Sequence, residues 1–412
     1  MISRSNVRRF FLNYGWQVKT VLNTPFSPWP SFTEEEANAV RDVVLSNKVN
    51  YWTGQECREF EKEFATWAST EYAIALANGT VALDLALNAL GIGRGDEVIV
   101  TPRTFLASVS SIVNAGAIPV FAEVDRDSQN ITAQKIQAVL TPRTRGVICV
   151  HLAGWPCDMD PIMELAALHD LKVIEDCAQA HGATYKGRPV GSIGHIGAWS
   201  FCQDKIMTTG GEGGMVTTND RSLWSKMWSF KDHGKSWEAI YEREHPSGFR
   251  WLHESFGTNW RMIEVQGVIG RIQLRRMAEW RASRVNYAER IWSLARELKG
   301  LRAPVVPEDY VHAAYKCYVF IEPQQLKADW DRDRILSAIS ALGVPCFSGS
   351  CSEVYLEKAF DNTGWRPEAR LAVAKELGET SLMFMVHPTL TEAEIDKTCD
   401  VISSVMQQAS KP

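Results

Sequence analysis

The sequence predicts an α/β protein. Its larger part is a mostly parallel sheet with helices on both faces, and a smaller α+β segment follows. Three observations predict this. Between residues 72 and 176, short apolar runs alternate with amphipathic stretches, the pattern of parallel strands buried on both faces. Around residue 260 the chain changes to a long, Arg-rich helical periodicity and then to a mixed segment. The length of 412 residues, at about 100–200 residues per domain, is enough for two or three domains.

The elements follow in order. Thr33 and Glu36 have the spacing of a capping box and open a helix through Ala37, Val40, Val43 and Val44. Residues 59–66 read as helix, with Phe60 and Phe64 on one face. Residues 72–76 read as a strand, and the Asn78-Gly79-Thr80 turn opens a helix over 81–90. Strands over 97–101, 118–124, 146–151 and 171–176 alternate with helices over 105–115, 133–140 and 159–169. Residues 196–201 and 214–218 are two further short strands. Helix is expected over 262–282 and past Tyr287, then strand over 316–321 and helix over 331–342. A last helix starts at Thr391, where Glu394 completes a second capping box. The expected units are an N-terminal extension (1–29), a large domain (30–285) and a small domain (286–412).

Composition narrows the function. Hydrophobic residues at 45% and charged residues at 23% exclude a collagen-like, coiled-coil or wholly disordered chain. The net charge of −5 argues against nucleic-acid binding. No apolar run approaches the ~18 residues of a membrane span. The nine cysteines are odd in number and scattered, several in apolar runs, and read as reduced thiols of a cytoplasmic protein. No CxxC, HxH or HExxH pattern is present, so no metal is expected. The stretch 1–23 is basic, lacks the apolar core of a signal peptide, and is expected to pack on the body or on a partner subunit.

Four features carry chemistry. Asp176 ends an apolar strand, where α/β sheets bind ligands. A helix cap is the simpler reading of that residue alone. Lys205 lies between a strand end, marked by Ser200, and the glycine-rich turn 208–214. Lysines in such sites lose their proton and form Schiff bases, whereas a surface loop lysine would not. Gly79 and Thr80 at a helix start form an anion site or an ordinary cap. Phe105, just past a strand end, is either a stacking plate or a core residue. Together they match what pyridoxal 5′-phosphate (PLP) needs: an amine, an acid for the ring nitrogen, anion donors and a flat apolar face.

With these motifs the sequence resembles the DegT/DnrJ/StrS sugar aminotransferases, which are fold-type I, aspartate-aminotransferase-like PLP enzymes. The resemblance runs from about Pro30 to Val405 and is most specific in Ala77–Thr80, Glu175–Gly182, Ser200–Gly214 and Asn259–Met262. It implies that Lys205 binds the cofactor aldehyde and shuttles the proton. Asp176 would hold the ring nitrogen protonated, and Gln179 would approach the phenolic oxygen. Gly79, Thr80 and Ser200 would hold the phosphate, and Phe105 would stack on the ring. Asn259 would reach the partner's cofactor phosphate in a homodimer with composite sites. The implied reaction moves an amino group from L-glutamate to a keto nucleotide sugar. The Thr-Thr-Gly turn points to C4 of a 4-keto-6-deoxy sugar, for amino-sugar and surface-polysaccharide biosynthesis such as O-antigen.

The turn holds one glycine more than the family's Thr-Thr-Gly-Glu-Gly-Gly. The stretch 221–256 is longer than usual, and its Lys231, His233, Lys235, His245 and Arg250 either cover the sugar-nucleotide site or form an exposed loop. His312 and Lys316, near Tyr315 and Tyr318, are weaker candidates for the nucleotide or sugar, with surface charge as the simpler reading. The alternatives are a C3-keto-sugar aminotransferase, a PLP-dependent sugar dehydratase and a non-enzymatic regulator. The dehydratase branch carries histidine in place of the lysine.

Overall fold

The computed structural model describes residue 22 and residues 24–412. The basic stretch 1–23, Leu22 apart, lies outside the described residues. Residues 27–29 lie on the body: Ser27 Oγ donates to Glu394 Oε2 at 3.1 Å and the Trp29 indole donates to the Lys205 carbonyl at 2.8 Å.

Helix α1 (Glu34–Leu45) starts where Thr33 N donates to the Glu36 carboxylate at 2.7 Å, as the capping box requires. Helix α2 (Glu56–Trp67) buries Phe60 and Phe64. The alternation then runs β1 (Tyr72–Leu76), α3 (Gly79–Ala89), β2 (Glu97–Val100), α4 (Ala107–Asn114), β3 (Ile118–Phe121), α5 (Ala133–Gln137), β4 (Thr144–Val150), α6 (Met159–Leu168) and β5 (Lys172–Asp176). Two-residue strands β6 (Thr184–Tyr185) and β7 (Arg188–Pro189) precede β8 (Ile196–Ser200) and β9 (Gly214–Thr218). Helices α7 (Arg221–Lys231) and α8 (Trp237–Tyr241) lead to the 34-residue α9 (Glu264–Glu297). The chain ends through β10 (Leu301–Arg302), β11 (Tyr310–Val311), β12 (Cys317–Ile321), α10 (Arg332–Ala341), β13 (Cys346–Phe347), α11 (Ala372–Thr380), β14 (Ser381–Phe384) and α12 (Glu392–Ala409).

The large sheet has seven strands in the order β1-β9-β8-β5-β4-β2-β3. From β8 to β3 all pairings are parallel, while β9 runs antiparallel to both β8 and β1. The reason is the connection. A parallel neighbour needs a crossover, usually helical, that carries the chain back across the sheet, whereas residues 201–213 between β8 and β9 hold no helix and turn the chain straight back. A second sheet, β10-β12-β14-β13, is wholly antiparallel, and a third joins β11 to the β6–β7 hairpin.

Helix α9 ties the cores together. Its Leu274, Met277 and Trp280 pack with Phe60, Phe64, Trp199 and Phe201, and from Tyr287 onward it packs with Val319, Phe384 and Ile402. Tyr318, Tyr355 and Leu377 belong instead to the core of the large sheet. The segment 221–256 is helical over 221–231 and 237–241 and largely exposed loop over 242–256, so the expected exposed loop holds for its second part only. Asp220 caps α7, and Lys231 at its end is fully buried, 3.3 Å from Glu61 Oε1 and 3.7 Å above the Tyr51 ring. Among the described residues no helix is long and apolar enough to cross a membrane.

Candidate active site

The site forms at the C-terminal ends of the central strands, where each strand hands the chain to a loop. Strand β5 delivers Asp176, buried beside the sheet. Its Oδ2 accepts from Ser108 Oγ at 2.8 Å and its Oδ1 from the Ala178 N–H at 3.1 Å. Ser108 Oγ in turn lies 2.8 Å from Thr104 Oγ1. Burial raises the Asp176 carboxyl above the usual range, and the two hydrogen bonds and Lys205 only partly offset it. Ser108 is a site residue that the sequence did not reveal, since one serine in a helix has no motif.

Glu175, the preceding residue, is also fully buried and points to the opposite side of the strand. It lies 3.0 Å from His151 Nε2 and accepts from the N–H groups of Gly191, Ile193 and Gly194. Burial opposes its charge, and these donors outweigh burial and hold the carboxyl below the usual range. Glu175, His151 and Cys177 lie close enough to hold a cation. The Glu175 carboxylate is already saturated by hydrogen bonds, and His151 Nδ1 accepts from the Cys157 N–H at 2.9 Å. The cluster is structural: it braces the loop between β7 and β8.

Lys205 lies beyond β8, its side chain 15% exposed. Its Nζ is 3.9 Å from Asp204 Oδ1 and 5.1 Å from the centre of the Tyr315 ring. Burial lowers its pKa; Lys316 acts in the same direction, and Asp204 and Asp176 oppose. Gln179 accepts from the Ala153 N–H at 2.9 Å through Oε1, which leaves Nε2 as the free end of its amide. His181, in the same loop, is buried, and its pKa is pushed down to about 3 by burial, so it is neutral.

The anion cradle is built by close packing. Asn78 Oδ1 caps α3 through the Val81 N–H at 3.0 Å, so the N–H groups of Gly79 and Thr80 are the donors left for a ligand. A Cβ on Gly79 would lie 2.5 Å from Ser200 Cβ, which is why only glycine lets α3 sit against the end of β8. The extra glycine of the 208–214 turn falls at its open side. Gly210 and Gly211 take φ of 88° and 117°, and a Cβ on Gly211 would meet nothing within 4 Å. Gly213 and Gly214 are the tight ones, their Cβ positions 1.9 Å from Thr209 Oγ1 and 2.3 Å from the Asn78 carbonyl oxygen.

Phe105 precedes α4 and is 71% exposed, so it is not a core residue. Asn259 is exposed and bridges Asp232 through the backbone, while Trp260 accepts from the Ala77 N–H at 2.9 Å. The 259–262 segment thus lies alongside the 77–80 cradle. His312 is buried between Trp155 and Trp292, accepts from the Ala314 N–H and has its pKa lowered to about 3 by burial. It is therefore not surface charge. Lys316 remains partly exposed, its Nζ 5.0 Å from the Tyr315 ring centre.

These residues fit PLP on their own chemistry. A buried carboxylate with a raised pKa lacks a full counter-charge, which a protonated ring nitrogen supplies. An amine whose pKa is lowered by burial, free helix N–H groups and an exposed aromatic complete the donor set.

Comparison with known proteins agrees. Residues 30–403 match the model of the DegT/DnrJ/EryC1/StrS aminotransferase family. GDP-perosamine synthase of Caulobacter vibrioides is 38% identical over 89% of this chain and 95% of its own. An aminotransferase structure from Psychrobacter cryohalolentis is 66% identical, covers 93% of this chain and 99% of its own, and superposes with a TM-score of 0.91. DesV of S. venezuelae is 31% identical, covering 92% and 98%, with a TM-score of 0.81. The chain is therefore a fold-type I enzyme that belongs to the DegT/DnrJ/EryC1/StrS aminotransferase family, whose cofactor is PLP.

Proposed function

We propose that this enzyme moves an amino group from L-glutamate to the keto carbon of a nucleotide-linked sugar, a 4-keto-6-deoxy sugar in the first instance. The observation that carries this reading is the meeting of the buried Lys205 amine and the buried Asp176 carboxylate beside a free helix N-terminus. The names of the relatives support a nucleotide sugar. One is a GDP-perosamine synthase, and another, 32% identical, is a dTDP-3-amino-3,4,6-trideoxy-alpha-D-glucose transaminase.

PLP, when bound, supplies an electrophilic aldehyde and an electron sink. Asp176 holds a proton on the ring nitrogen. Gln179 turns its amide N–H toward the phenolic oxygen. Gly79, Thr80 and Ser200 receive the phosphate, and Phe105 covers the ring. Lys205, its pKa lowered by burial, takes and returns the proton at the substrate carbon, a role worth roughly 10²–10⁴-fold. Asn259 is exposed, as a residue that reaches a second protomer must be, and the working form is a homodimer.

Two relatives are named for an amino group at position 3, so a 3-keto substrate is the second reading. Purified protein with glutamate and a panel of 4-keto and 3-keto nucleotide sugars tests both. Release of 2-oxoglutarate with an amino sugar supports the proposal, and the sugar that turns over decides the carbon. A deoxygenated sugar, or no turnover with any of them, overturns it. Lys205→Ala is expected to abolish both turnover and the borohydride-trapped cofactor adduct.

A further inference from the structure

We infer that Asp204 and Tyr315 form a positioning pair for the Lys205 amine, with the charge of Lys316 opposing that of Asp204. The inference rests on the reading of Lys205 as the cofactor lysine.

The pair is built from two distant parts of the chain. Tyr315 donates its hydroxyl to Asp204 Oδ2, and the other oxygen of that carboxylate is 3.9 Å from Lys205 Nζ. The Tyr315 ring carries both lysines, with Lys205 Nζ at 5.1 Å and Lys316 Nζ at 5.0 Å from its centre. Tyr315 is 6% exposed, and its N–H donates to the Ala153 carbonyl, whose own N–H is held by Gln179. The main chain at Lys205 is held by the Trp29 indole. A lysine side chain has four rotatable carbons, and each must be restrained for its amine to meet a reacting carbon. The backbone contact fixes the base of the side chain, and the Tyr315 ring and Asp204 flank its head.

The charges around the amine come from every side. Asp204 and Cys202 lie on its own segment, Lys316 and Tyr315 on the 312–316 segment, and Asp176 on β5. His181 also feels Lys205 but is neutral, and Arg284 acts through Tyr315 and His181. Asp204 favours the charged amine and Lys316 the neutral one. Asp204 is itself held below the usual carboxylate range: burial opposes this, and Lys205, Tyr315 and Lys316 outweigh it.

The test follows PLP capture by the full-length protein after removal of its cofactor, read as the rate of the visible absorbance change between pH 6 and 10. Neutral amine is the reacting form, so the rate rises with pH through the Lys205 midpoint. Asp204→Asn is expected to lower that midpoint, and Lys316→Met to raise it, each by about half to one pH unit. Asp204→Ser is the second neutral variant if the asparagine protein does not fold. Tyr315→Phe is expected to slow capture at every pH, because the carboxylate loses its anchor. Midpoints that coincide with wild type, or that move in the same direction, overturn the inference while leaving Lys205 in place. A Lys205→Ala protein that still captures PLP in a borohydride-stable adduct overturns the underlying reading instead.

Discussion

Replacing Gly79 by alanine tests the anion cradle through packing alone. The added Cβ would lie 2.5 Å from Ser200 Cβ, 2.9 Å from its Oγ and 3.0 Å from its Cα. Ordinary carbon–carbon contact begins near 3.5 Å, so α3 and β8 must separate by about 1 Å. Forcing a methyl into such a site costs about 1–3 kcal/mol. The same movement stretches any hydrogen bond from the Gly79 N–H beyond its useful range. Loss of one bond to an anion costs about 1.5–3 kcal/mol, which weakens PLP binding about ten- to hundredfold. The assay is a melting curve of the cofactor-free protein beside a PLP titration. Adding Ser200→Gly to Gly79→Ala removes the two side-chain clashes and leaves the crowding against the main chain at position 200, so melting recovers in part. Cofactor affinity does not recover, because the Ser200 hydroxyl is gone. A Gly79→Ala protein that melts and binds like wild type would refute the argument, as would equal melting of the single and double variants.

Asp176→Asn separates stability from cofactor binding. Burial raises the Asp176 pKa, so above the normal carboxylate value the native state retains a proton that the unfolded chain has released. Asp176 therefore costs stability as pH rises through that window. At pH 7 the cofactor-free asparagine variant is expected to melt at or above the wild-type temperature, while a PLP titration shows at least a tenfold weaker complex, about 1.4 kcal/mol. Lys231→Met leaves Glu61 without its buried partner and is expected to cost about 3–5 kcal/mol in urea unfolding. Glu61→Gln in the same protein should return part of that loss. Burial lowers the pKa of His181 and His312 to about 3 and of His387 to about 4. Their stabilising contribution is complete above the unfolded value near 6.5 and declines as pH falls toward the folded values, by about 1.4 kcal/mol per pH unit for each histidine. Unfolding at pH 5 should take up about one proton fewer in a His312→Asn protein than in wild type, measured with an indicator dye.

The alternation of strand and helix from Tyr72 to Asp176 was legible because hydrophobic period and chain direction are local properties. Both capping boxes, at Thr33 and Thr391, were legible for the same reason. Lys205, Asp176 and the Gly79–Thr80 turn were each singled out from their own neighbours in the chain, and Gln179 through the family resemblance. The reversed strand β9 was not, because direction depends on the partner strand. Strands β6, β7 and β11 have only two residues each, too few to show a period.

What the sequence determined by itself was therefore the set of groups and the order of the layers around them. Tertiary structure alone decided which groups meet. Ser108 reaches Asp176 across 68 positions, and Tyr315 reaches Asp204 across 111. It also drew Lys231 and His312 into the interior, where Lys231 pairs with Glu61 and His312 packs between Trp155 and Trp292. Contacts that distant depend on how α9 and the sheets close on one another, and no local pattern of residues encodes that closure.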